Sequence, residues 1–194
     1  YDQDKEYIHR FVSSGNICDV GCGTGEFLEY IQWNGSRHGL EISDYAILAA
    51  EKRGVDFSKN ILNQKNYFDA VLFRGTIQHL DTPFYIIKKA YESLKPGGVI
   101  IFIATPNSES ILYRLKLKLP ALSPDKNFYI PGANELSNAL ENLDFQLLDQ
   151  SYPYTQTPYA NLVLDHLKFM INLLTPFYIK HPFWKSMMNL VAKK

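Results

Sequence analysis

Between Asn16 and Gln150, short apolar runs bounded by turn residues alternate with longer stretches whose apolar positions recur at helical spacing. The short runs predict strands and the periodic stretches predict helices. A leading helix over Asp4 to Val12 precedes a first strand, Ile17 to Val20, and a helix from about Glu26 to Trp33. His38 to Ile42 reads as a second strand, followed by a helix from Asp44 to Arg53 with Ser43 as its N-cap. Val55 to Phe57 reads as a short third strand and Asp69 to Phe73 as a fully buried fourth. Pro83 to Leu94 is the next helix, ended by Lys95, Pro96, Gly97 and Gly98. "VIIFIA", Val99 to Ala104, is apolar and mostly β-branched, as suits a strand buried on both faces. A helix over Glu135 to Leu143, a strand over Phe145 to Asp149 and a terminal strand in "MMNLVAKK" complete the series. This alternation predicts a doubly wound α/β fold on a mostly parallel sheet.

Two segments stand outside the alternation, and substrate choice is expected to reside in them. Ser108 to Pro131 carries Arg114, Lys116 and Lys118, read as solvated helix positions, with an anionic ligand group as the alternative. Ser151 to Lys185, an insertion before the last strand, is rich in proline and aromatics. Its helix, spanning 159–174, places Asn161, Asp165, Lys168 and Asn172 at steps of four, three and four and leaves the rest of its surface apolar. Such a helix needs cover from the core, a dimer mate or a membrane surface. Tyr152, Tyr154 and Tyr159 beside it either stack on sugar faces or pack the helix down as a lid.

At 194 residues the chain has the length of one domain. Lysine plus arginine equals aspartate plus glutamate at 20 each, so no net field favours nucleic acid. Cys18 and Cys22 have no histidine or cysteine cluster with which to complete a metal site, and read as reduced packing residues of a cytosolic protein. No apolar run reaches the roughly 20 residues needed to cross a bilayer, and Tyr1 to Glu6 are too charged for a signal peptide.

The chemistry is concentrated in "NICDVGCGTGEFLEYI", where Gly21, Gly23 and Gly25 join a strand to a helix. Glycines without side chains let backbone amides approach a ligand closely. Glu41, at the end of the second strand, lies where an acid can bind both hydroxyls of a ribose, although capping of the next helix is the alternative. The spacing is GxGxG, not the GxGxxG of dinucleotide sites, and Asp19 would repel a pyrophosphate but hold a cationic amino group. Together these features favour S-adenosylmethionine over a nicotinamide cofactor.

"DVGCGTGEFLEYI", "GLEIS", "YFDAVLFRGTIQHL" and "SLKPGGVIIFIATPNS", in that order, resemble the class I S-adenosylmethionine-dependent methyltransferases, particularly those acting on small molecules, sugars and lipid precursors. The resemblance runs from Asn16 to about Asn107 and implies seven strands, the last antiparallel. It implies that Gly21, Cys22, Gly23 and Gly25 line the methionine part, that Glu41 and Ile42 meet the ribose end, and that Arg74 and Gly75 stand near the methionine carboxylate. Arg74 is equally placed to be a surface ion-pair partner. Where relatives carry an adenine-binding acid this chain has "KNIL", so Asn60 is expected to accept from the adenine amino group with Ile61 packed on the ring, and Asp56 is the alternative.

If the acceptor is a hydroxyl, histidine suits the general base. His79, oriented by Asp81, is the candidate, with packing or turn-capping as its other reading. His166 on the insertion helix is the reserve. The acceptor is expected to be a small polar molecule, a sugar or lipid-linked glycan precursor of polysaccharide synthesis. The competing functions are a nicotinamide-dependent oxidoreductase or epimerase and a non-catalytic cofactor-binding subunit.

Overall fold

The computed structural model describes residues 1–116, 125–155, 160–177 and 179–194. In chain order it contains α1 (Asp2–His9), β1 (Ile17–Val20), α2 (Glu26–Tyr30), β2 (Arg37–Leu40), α3 (Asp44–Lys52), β3 (Phe68–Arg74), a 3₁₀ turn (Ile77–His79) and α4 (Pro83–Ser93). It continues with β4 (Leu94–Pro106), α5 (Ile111–Lys116), α6 (Ala133–Glu141), β5 (Gln146–Ser151), α7 (Leu162–Leu174) and β6 (Met187–Lys193). The strands form one sheet in the order β2-β1-β3-β4-β6-β5.

Alternation along each strand builds two cores, one per face. Cys18, Val71, Phe73, Ile100 and Phe102 point to the face covered by Ile87 and Ala90 of α4 and Leu136 and Leu140 of α6. Their neighbours Ile17, Ala70, Leu72, Ile101 and Ile103 point the other way, against Ile8 of α1, Leu28 of α2 and Ala50 of α3. Burial on both faces explains the unbroken apolar runs of β3 and β4. Ser43 caps α3, its hydroxyl accepting from the Ala46 N–H at 3.4 Å. Cys18 and Cys22 are free and buried.

The expectation of a mostly parallel seven-stranded sheet is corrected to a mixed sheet of six strands among the described residues. The three pairings among β1 to β4 are parallel, whereas β6 runs antiparallel to both β4 and β5. The missing strand is Val55 to Phe57, which makes only an isolated bridge between Asp56 and His38. Its arrest is local: the Asp56 carboxylate accepts from the Ser58 N–H at 2.7 Å and the Ser58 hydroxyl at 2.9 Å. That Asx-type turn competes with a sheet ladder for the backbone.

Because β1 to β4 are parallel, Gly21, Glu41 and Asn107, which follow strands, and Arg74, which ends one, all lie at the same sheet edge. β1 sits between β2 and β3, so the strand order reverses there and opens the crevice in which such sheets bind ligands.

Candidate functional site

The three glycines of the β1–α2 turn all have positive φ, but only one faces open space. A Cβ on Gly21 would lie 2.4 Å from Thr76 Cγ2, and one on Gly25 3.0 Å from Ala50 Cβ and Val55 Cγ2. These two glycines let the turn sit tightly on the 3₁₀ turn and on α3. A Cβ on Gly23 would meet nothing within 4 Å. Cys22 packs against Gly39, and burial, reinforced by Asp19 and Glu41, pushes its thiol up to about 12, so it stays protonated as a packing group.

Glu41 reaches the same turn. One carboxylate oxygen accepts from the Gly23 N–H at 3.0 Å, and the other accepts from the N–H groups of Ile42 at 2.8 Å and Ser43 at 3.1 Å. Ile42, next to it, is 96% exposed. Beside the turn lies a cleft of about 200 Å³ bordered by Asp19, Gly21 and Gly23, by Phe27 of α2 and by Arg74 at the end of β3.

A buried acid and a guanidinium line this cleft. Asp19 is only 3% exposed, and one of its oxygens, Oδ1, has no hydrogen-bond partner among the described residues. Burial, with Glu41 adding to it and Arg74 opposing it, pushes the Asp19 carboxyl up to about 8. Arg74 donates from Nε to Asp4 of α1 at 2.8 Å, and its guanidinium lies 4.7 Å from the Tyr1 ring centroid and 4.6 Å from that of Phe27. Arg74 therefore lines the cleft and is at the same time an ion-pair partner of Asp4. A buried carboxyl group with a spare acceptor, which an incoming ammonium would ionise, and a clamped guanidinium in one cleft are complementary to an amino-acid zwitterion, so the residues present fit the methionine end of S-adenosylmethionine. Gly75, with φ +61°, donates its N–H to the Ile103 carbonyl at 2.8 Å and has only the Ala104 carbonyl near its missing side chain.

The expected adenine contacts are not brought to the cleft. Ile61 is fully buried in the core with Val20 and Phe68, leaving no surface for a ring. The Asn60 amide oxygen accepts from the Leu62 N–H at 2.8 Å, closing its own turn. Asp56, the alternative, is committed to Ser58 and lies 3.4 Å from His38 Nδ1.

His79 stands exposed on the 3₁₀ turn just beyond Arg74. Its orienting partner is not Asp81, whose carboxylate accepts from the Thr82 hydroxyl. His79 Nδ1 instead lies 2.7 Å from the Lys126 carbonyl, which can only accept, so Nδ1 carries the proton. Nε2, left with its lone pair, faces the Gln78 amide nitrogen at 3.2 Å, and that nitrogen also donates to the Gly75 carbonyl at 2.8 Å. The Phe128 N–H donates to the Gln78 carbonyl at 2.9 Å, so the 125–130 stretch is laced onto this rim. His166 is directed elsewhere: it bonds the Leu162 carbonyl through Nδ1 and packs edge-on against Phe183.

Of the insertion tyrosines, Tyr154 is buried and donates to Asp165 at 2.9 Å, and Tyr152 accepts from Gln150 at 2.5 Å. Both lean towards the packing reading. Arg114 is exposed on α5, and Tyr159 and Lys118 lie outside the described residues. Sequence reasoning missed Tyr1, Asp4, Phe27 and the Lys126 carbonyl, each of which acts across a long sequence separation that no local pattern encodes, and Gln78, which acts on its neighbours Gly75 and His79.

Residues 5–150 match the family described as "Methyltransferase domain". The ubiquinone biosynthesis O-methyltransferase of Pelagibacter ubique is 27% identical over 179 residues, covering 78% of this chain and 74% of that protein. The malonyl-[acyl-carrier protein] O-methyltransferase of Calditerrivibrio nitroreducens is 30% identical over 90 residues, 45% of this chain and only 37% of that enzyme's length. Among solved structures, a SAM-dependent methyltransferase of Thermotoga maritima superposes with a TM-score of 0.68 at 22% identity, covering 98% of this chain and 86% of that one. The chain belongs to the methyltransferase domain family.

Proposed function

We propose that this protein transfers the methyl group of S-adenosyl-L-methionine to a hydroxyl oxygen of a small-molecule acceptor, with His79 receiving the hydroxyl proton. The observation that carries the reading is the meeting of Glu41 with the Gly23 N–H at the edge of a cleft that also holds Asp19 and Arg74. Asp19 receives the cofactor's ammonium, Arg74 its carboxylate and Glu41 its ribose hydroxyls, and exposed Ile42 offers apolar surface to the adenine ring. When bound, the cofactor supplies a methyl group on positively charged sulfur, already electrophilic, so no covalent enzyme intermediate is required. The residues of the chain contribute alignment and a place for the proton.

Oxygen as the acceptor atom is supported by two relatives that are O-methyltransferases by name. A sugar or glycan acceptor is not supported: Tyr152 and Tyr154 are engaged within the protein, and neither relative's name refers to a sugar. Family membership likewise removes the nicotinamide alternative. Incubation with cofactor bearing an isotopically labelled methyl, over a panel of phenols, aliphatic alcohols, carboxylic acids and amines, is expected to place label on a hydroxyl oxygen. Label confined to nitrogen overturns the acceptor assignment. Tight cofactor binding with no transfer to any acceptor favours the non-catalytic subunit.

Glu41→Ala removes the ribose acceptor and is expected to weaken cofactor binding by about 1 to 3 kcal/mol, read by calorimetric titration. Unchanged affinity takes Glu41 out of the site.

Asp19 gives binding a pH dependence. The folded protein holds a proton at Asp19 up to about pH 8, against an ordinary value of 3.8. This group's contribution to stability is therefore present at acid pH and lost as the pH rises through about 8. An ammonium beside Asp19 favours the carboxylate, so binding near neutrality expels the proton. Affinity is expected to rise by up to roughly tenfold per unit between about pH 6 and pH 8. Titrations in buffers of different ionisation enthalpy report the released proton, and Asp19→Asn is expected to bind weakly with no such dependence. Buffer-independent heats and a flat affinity exclude Asp19 as the ammonium partner.

A further inference from the structure

α7 is mounted with its polar stripe inward. Asp165 and Asn172, each 1% exposed, face the body of the protein, whereas Val163, Leu167, Met170 and Leu174, spaced for one helical face on the opposite side, point outward. Val163 and Leu174 are each 78% exposed. Hydrogen bonds hold the inner stripe: Asp165 accepts from the Tyr154 hydroxyl and from the Asn161 N–H at 2.8 Å, and Asn172 exchanges bonds with both the N–H and the carbonyl of Ile179. Phe169 stacks on Phe183 at 4.5 Å, adding the only ring stack of the inner side among the described residues. The helix is thus fixed in place without spending its outer apolar face, which is unusual for a water-facing surface.

We propose that this face is a docking surface for an anionic lipid bilayer. Charge selects the occupant. From Ser151 to Lys185 the sequence has one acid, Asp165, which is buried, whereas two of its three lysines, Lys180 and Lys185, are exposed beyond the helix, in a chain whose net charge is zero. A second copy docked face to face would set lysines against lysines, because a two-fold interface opposes like patches. Anionic headgroups neutralise them. Exposed Phe177 and Trp184 follow the helix, the residue types that favour the water–lipid boundary. With 13 residues α7 is about 20 Å long, short of the roughly 30 Å hydrocarbon layer, so it lies along the surface and does not cross it. No helix among the described residues is long and apolar enough to span.

The docked face is tied to the catalytic edge. Asn107, directly after β4, donates its N–H to the Ser186 carbonyl and its side-chain amide to the Lys185 carbonyl, both at 3.0 Å. The strap leaving α7 is therefore anchored beside the strand ends that carry the site, and an acceptor with an apolar part can enter from the lipid. The docking itself does not depend on the acceptor reading.

Flotation with vesicles tests it. The protein is expected to bind vesicles of equal parts phosphatidylcholine and phosphatidylglycerol, to bind phosphatidylcholine alone weakly, and to release on addition of salt. Trp184 emission is expected to shift to the blue on binding, Trp33 being buried already. Leu167→Glu with Met170→Glu, both at exposed positions, is expected to weaken binding at least about tenfold. Lys180→Glu provides an independent reading through the anionic vesicles alone, should the double variant fold poorly. Wild-type protein left in solution with both vesicle types, or variants that bind as wild type does, overturns the proposal. A dimer in sedimentation velocity that the double variant dissolves, without vesicle binding, assigns the face to a second copy and overturns it equally.

Discussion

Gly23→Arg is expected to abolish cofactor binding while the protein remains folded. The backbone at Gly23 has φ +54°, where a side chain costs about 1 to 2 kcal/mol, and its Cβ would meet no atom of the described residues within 4 Å. The new side chain therefore rises into the space over the turn, next to Asp19 and Glu41, and fills it. A change of that size lowers the melting temperature of a chain of this length by only a few degrees. Calorimetric titration is expected to show no binding, with melting and circular dichroism close to wild type. Gly21→Ala and Gly25→Ala make the contrast, because their methyl groups would strike Thr76 and the Ala50–Val55 pair, and they are expected to cost stability first. If Gly23→Arg binds the cofactor normally, the turn is not the cradle.

The contrast among the three glycines marks the limit of what was legible in the chain. That a strand, a glycine turn and a helix follow one another from Ile17 onward is written in local pattern, and so is an acid at the end of the next strand. Which glycine serves a ligand and which serves packing depends on Thr76 and Ala50, far along the sequence, so it is invisible in the motif. The same separation explains the adenine region. The pattern of "KNIL" suits a ligand-facing turn, yet Ile61 closes the core beneath β1 and β3 and Asn60 closes its own turn. Val55 to Phe57 looks like a strand by composition, but the side chains of Asp56 and Ser58 take the backbone elsewhere.

α7 shows the opposite case. The four-three-four recurrence of polar residues predicted an amphipathic helix, and the helix is present at Leu162–Leu174. Its orientation was not encoded by periodicity, because amphipathicity defines two faces without saying which is inward. Tyr154 and the backbone of Ile179, by pairing with Asp165 and Asn172, decide it. Likewise α1 was visible as a helix, but its function as a clasp on Arg74 through Asp4 exists only after folding.

His79→Ala is expected to slow methyl transfer by about 10²- to 10⁴-fold, the usual contribution of a positioned general base, with cofactor affinity unchanged. Its geometry prepares it for the role, because Nδ1 donates to the Lys126 carbonyl and the basic Nε2 is left facing the Gln78 amide, a weak partner at 3.2 Å that an acceptor hydroxyl can displace. Lys126 belongs to the stretch laced onto the rim through Phe128 and Gln78, so the segment expected to choose the acceptor also sets the tautomer of the base. Loss of the histidine is therefore expected to show as a fall in kcat with the KM for the cofactor unchanged. Gln78→Ala, which frees Nε2 but loosens the ring, is expected to change kcat less. A His79→Ala enzyme that turns over at the wild-type rate reduces His79 to a surface residue and leaves alignment of the two substrates as the device on which catalysis rests.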